Sequence, residues 1–167
     1  MSLLRSTTSS LHALKAAGIG AAMMLSASAA IADPGPFSGF EGSWSGNGTV
    51  ALSDGSKERI RCKATYRVGG GGNQLTQTLR CASDSYKFDL SADVASNGDR
   101  ISGNWSEASR NINGSLQGKA GGGHIEVFVE AAGFAASISL TTRGNKQSVG
   151  ISSKGEIRGV NISMTRG

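Results

Sequence analysis

Aromatic side chains are scarce in this chain, with two Trp, two Tyr and five Phe among 167 residues. That argues against the aromatic girdles of a membrane-spanning barrel. Histidine and cysteine number two each, with no C-x-x-C pair, which argues against a thiolate or imidazole metal cage. Proline is confined to Pro34 and Pro36, in the segment "DPGPFSGF", and nothing later in the chain breaks a strand ladder. The P-loop pattern G-x-x-x-x-G-K-[ST] and the nucleophile elbow G-x-S-x-G are both missing. One apolar run stands out, "AAGIGAAMML" over residues 16–25, and it is too short to cross a bilayer as a helix.

That run belongs to a leader. Arg5 and Lys15 are the only charges before Asp33, and Ala30 and Ala32 make an A-x-A site, so cleavage is expected after Ala32. Residues 1–32 read as a signal peptide, residues 33–41 as an irregular lead-in, and residues 42–167 as one β-domain. The destination is periplasmic or secreted. Removing 32 residues from 167 leaves 135, enough for a single core. The leader takes two of the 17 basic residues and none of the 12 acidic ones, leaving a net charge of +3. That mild excess suits an anionic partner, and an exported protein has no nucleic acid to meet.

Glycine, Ser, Thr and Asn fill the remainder, and apolar residues recur with period two. Trp44, Val50 and Leu52 share a face, as do Leu75, Leu79 and Cys81, and Phe88, Leu90, Ala92 and Val94. Breaks such as "SDGS", "GGGGN", "SNGD" and "RGNK" fall about every ten residues. Nine or ten short strands result, the pattern of an all-β, single-domain, antiparallel up-and-down barrel of about 8–10 strands, with a β-sandwich as the alternative.

"SKERIRCKATYRV" holds the sharpest signals. Its odd positions carry Lys57, Arg59, Arg61, Lys63 and Arg67, and its even positions Ile60, Cys62, Ala64, Tyr66 and Val68. If "GGGGN" turns the chain and Val68 pairs with Leu75, then Ala64 meets Leu79 and Cys62 meets Cys81. Every inward residue then faces an inward one, and a Cys62–Cys81 disulfide is predicted. Two free thiols in a metal or redox site are the competing reading.

The cations, with Arg80 alongside, have two readings. They are a solvated face balanced by Asp89 and Asp93, or a patch that docks an anionic envelope component. His124 with Glu126 makes half a metal site at most, and Glu107, Glu126 and Glu130 are acid–base candidates only if folding clusters them. Asn47, Asn104, Asn113 and Asn161 open N-x-S/T triplets.

"GSW" at 42–44, opening the first strand of a secreted meander, resembles the start of the lipocalins and their avidin-like relatives, the calycins. More broadly the chain is similar to small secreted bacterial proteins. The calycin resemblance implies that Trp44 closes one barrel end against a late-strand cation, Arg158 or Arg166. It also implies an interior that binds a small ligand, with Trp44, Tyr66, Phe88 and Trp105 as candidate interior residues. The expectation is an exported, non-catalytic binding protein that takes a small apolar ligand. A cell-envelope interaction protein using the basic face to bind anionic glycolipid, glycan or protein is the alternative. No cofactor, nucleic acid or membrane-spanning segment is expected, and no enzyme activity.

Overall fold

A computed structural model describes residues 34–167, and the expected leader over 1–32 lies outside them. Alternation becomes ten strands: β1 (Gly42–Leu52), β2 (Lys57–Gly69), β3 (Gln74–Ala82), β4 (Lys87–Asn97), β5 (Arg100–Glu107), β6 (Ile112–Gly121), β7 (His124–Ala131), β8 (Phe134–Arg143), β9 (Lys146–Ser153) and β10 (Ile157–Arg166). Each strand pairs antiparallel with its sequence neighbours, and β10 returns to β1. The sheet is therefore a closed up-and-down barrel with no free edge, and the sandwich alternative is excluded.

Register follows the inward apolar face. Val68 pairs with Leu75, Tyr66 with Gln77, Ala64 with Leu79 and Cys62 with Cys81. The two cysteines are bonded, with Cα atoms 4.1 Å apart, close to the spacing of a pair without mutual backbone hydrogen bonds. Such a bond fits an extracellular or periplasmic location.

One barrel end is sealed. Residues 34–41 form no strand, yet Phe37 and Phe40 are completely buried. The glycine run after β2 makes this docking possible. Gly70, Gly71 and Gly72 all have positive φ, and the Gly71 and Gly72 carbonyls accept from the N–H groups of Gly35 and Phe37. A Cβ on Gly72 would overlap Ser38 and Gly35. The run is thus a receptor for the lead-in segment as well as a hairpin turn. Above this plug the Trp44 Nε1–H donates to the Phe40 carbonyl at 2.9 Å. The Tyr66 hydroxyl donates to Gln147 at 3.0 Å, and Gln147 donates to Thr142 at 2.9 Å. Each of these buried polar atoms is therefore paired.

The interior is shaped by five glycines on inward positions, Gly46, Gly48, Gly103, Gly114 and Gly118. At each, an added Cβ would overlap a carbonyl oxygen of the next strand. Only glycine permits so close a backbone approach, the usual device where a barrel wall turns a corner. These positions cluster on β1 and on β5–β6, which stand opposite each other in the strand order. They also leave stretches of inner wall without side chains.

Candidate functional site

Inward residues differ between the two barrel ends. Near the plug they are buried: Trp44, Tyr66, Leu75, Ile101, Ile125 and Met164 are 1–7% exposed. Leu90, Ala92 and Trp105 towards the other end, and the mid-strand row Val127, Ile138 and Ile151, pack against the core but stay partly exposed, whereas Val50, Ile60, Val129, Ala136 and Val160 on that side of the barrel are buried. Val127, Ile138 and Ile151 are cross-strand neighbours, and Ala92 is paired with Trp105. The inner wall is therefore apolar, and part of it stays accessible between the plug and the opposite end, here called the mouth.

The four candidate interior aromatics do not form one cluster. Trp44 and Tyr66 belong to the sealed floor, whereas Phe88 and Trp105 stand near the mouth. Tyr86 stacks on Phe88 with centroids 6.2 Å apart, and the Arg110 guanidinium lies 5.0 Å from the Phe88 centroid. Trp105 meets Phe134 edge-on at 5.8 Å and donates its Nε1–H to the Ser115 carbonyl at 3.1 Å. At the floor, Arg166 stands 4.6 Å from the centre of Trp44. Of the two cations that the calycin resemblance offered, Arg166 occupies that place. Arg158 reaches the Lys154 carbonyl instead. Burial pushes the Tyr66 phenol far above its ordinary range, against a smaller opposing effect from Gln147.

Glu107, where β5 ends, is 4% exposed. Burial raises its pKa, but the backbone N–H of Asp89, with those of Ser109 and Arg110, outweighs that and holds the carboxyl below its usual range. Its oxygens are engaged in fixing the β5–β6 turn. Glu126 and Glu130 are exposed on the outer face of β7. The three carboxylates named as acid–base candidates are therefore not on one surface. His124 contacts Thr141 at 2.9 Å and Glu126 at 3.2 Å. No group of three or more metal-ligating residues occurs among the described residues.

On the outer wall Lys57, Arg59, Arg61, Lys63 and Arg67 are all exposed. Arg80 pairs with Asp89 at 3.2 Å, whereas Asp93 accepts from Thr76 and reaches no cation. Among the described residues none of the five β2 cations has an ion-pair partner. Glu58, the single acid on β2, is tied to Ser83 and Ser85. The balancing role foreseen for Asp89 and Asp93 thus extends to Arg80 alone.

Phe37, Phe40, Gln147 and Arg110 were not legible as site or core residues, whereas Phe134 shares the alternating apolar face of Ala136, Ile138 and Leu140. The first two sit among Pro and Gly without alternation. Gln147 is polar in an inward position, marked only by its parity, and Arg110 flanks a turn.

No family model matches the sequence, and no curated protein does. Solved structures do. A crystal structure of Rv2717c from M. tuberculosis superposes with a TM-score of 0.63 at 14% identity, covering 78% of this chain and 94% of that one. An S-type phycobiliprotein lyase, CPES from Guillardia theta, gives 0.54 at 11% identity, covering 78% and 90%. At such identity the likeness is one of fold, a calycin-like barrel. It also corrects one expectation. The lack of a catalytic motif pointed away from an enzyme, but a lyase is built on the same barrel, and motif absence does not rule chemistry out for this scaffold.

Proposed function

We propose that the protein is exported and holds a small, mainly apolar ligand inside the barrel, entering at the Phe88–Trp105 end. The observation that carries this reading is the stretch of inner wall made by Ala92, Trp105, Val127, Ile138 and Ile151, apolar and only partly buried, above a plugged floor. Apolar surface facing a concave space gains from a ligand that displaces water, and few polar groups are needed to orient it. The leader over 1–32 is removed after Ala32, and Cys62–Cys81 forms in the oxidising compartment beyond.

Native mass spectrometry of protein recovered from an exporting host tests both parts. The expected result is a chain beginning at Asp33, two hydrogens lighter than the dithiol, with extra mass that leaves on denaturation. The mass of the released molecule, compared before and after incubation, reports any chemistry done on it. Ala92→Phe, which fills the chamber, should weaken uptake of the apolar dye N-phenyl-1-naphthylamine by about tenfold or more, the effect of losing one well-buried contact surface. Wild-type protein that takes up neither dye nor copurifying ligand would sink the reading.

A further inference from the structure

The outer wall carries a second, separate feature. Lys57, Arg59, Arg61 and Lys63 stand in single file on β2, about 7 Å apart by strand geometry. Directly across on β1 are uncharged polar side chains: Thr49 opposite Arg59, Asn47 opposite Arg61 and Ser45 opposite Lys63. The same rows continue onto β10 and β9, where Thr49 is followed by Asn161 and Gly150, and Asn47 by Ser163 and Ser148. Asn47, Thr49, Asn161, Ser163, Ser148 and Gly150, with Ser139 beyond, line a shallow concavity of about 450 Å³ beside the cations, within the size range of ligand sites. Gly150 leaves its floor open, since a Cβ there would meet only Asn161, at 3.9 Å. Behind the cations the Cys62–Cys81 bond fastens β2 to β3 and limits how far the row can shift.

We infer that this surface binds an acidic polysaccharide. Its carboxylates would lie along the β2 cations, and its hydroxyls in the Asn/Ser/Thr concavity beside them. The five cations lack internal partners, so their combined potential is available to an outside anion. A flat anionic bilayer fits poorly, because a plane does not enter a concavity and meets only one file of charge. Nucleic acid and polyphosphate fit poorly too. No aromatic residue lies beside the file to stack bases, and the neutral rows match hydroxyl groups rather than further phosphates.

The test is binding of the protein to polygalacturonate, with neutral pullulan, inorganic polyphosphate and phosphatidylglycerol vesicles as comparators. Polygalacturonate should bind most tightly, and the binding should weaken as salt rises. Replacing Arg59, Arg61 and Lys63 together by Ser should cost about tenfold at low salt and flatten the salt dependence. The charge-matched control Lys87→Ser with Lys119→Ser and Arg143→Ser, on other strands, should retain binding. Asn47→Ala with Asn161→Ala should cost about threefold towards polygalacturonate, the loss of roughly one net hydrogen bond, and nothing towards polyphosphate. Thermal melts verify that each variant is folded. The proposal is overturned if polygalacturonate binds no better than pullulan, if polyphosphate or vesicles bind as tightly, or if the Asn47/Asn161 pair leaves binding unchanged.

Discussion

Glu107 is the one buried charged side chain among the described residues. It gathers three backbone N–H groups, that of Asp89 on β4 and those of Ser109 and Arg110 just beyond β5. Its folded pKa lies below the ordinary value, so its stabilisation is present above the unfolded carboxylate pKa and is lost as pH falls through the folded one. Glu107→Gln should therefore cost about 1–2 kcal/mol at neutral pH. Urea melts below about pH 4, where an unfolded glutamate takes up its proton, should show wild type and variant converging. Parallel curves across that range would place the acid sensitivity elsewhere. At this scale the sequence was partly readable. Trp44 announced itself through Gly-x-Trp, and Arg166 was one of two named partners. Phe37 and Phe40 were not readable, because their burial depends on carbonyls of a glycine run about thirty residues away and leaves no periodic trace.

Elements were the most legible level. A hairpin register obeys one constant sum, and the faces of β2 and β3 admit one value that places inward residue against inward residue and cysteine against cysteine. Cys62→Ser with Cys81→Ser should lower stability by about 3 kcal/mol in the chain-entropy description, measured by urea denaturation, with the fold retained. The bends were not legible. Glycine in "SGNGTV" or "INGSLQG" reads as a weak strand residue, and only the finished ladder shows that a neighbouring carbonyl occupies the Cβ position. Gly118→Val should therefore open the β6–β7 ladder at a cost of order 3 kcal/mol, whereas Gly121→Ala on the same strand, with nothing within 4 Å, should be near neutral. A thermal melt of the two variants decides it, and equal midpoints would contradict the corner role.

Taken whole, the molecule keeps two kinds of surface apart, an apolar interior and an outer wall that is cationic along β2 and uncharged where Asn47, Thr49, Asn161, Ser163 and Ser148 stand beside it. Alternation disclosed the inward faces of most strands up to β8, and for β9 and β10 only their approximate spans. It did not disclose which end of the barrel is stoppered, or that the cations go unbalanced, because those depend on how distant turns and neighbouring acids settle in space. Nine of the ten ladders join consecutive strands, and the tenth joins β1 to β10, with Arg166 over Trp44. Hairpins form quickly and locally, while a contact across the full chain is slow to find. The seam is thus a clock. The barrel has no closed state until its last strand has been synthesised, so the chain stays open until β10 finds β1.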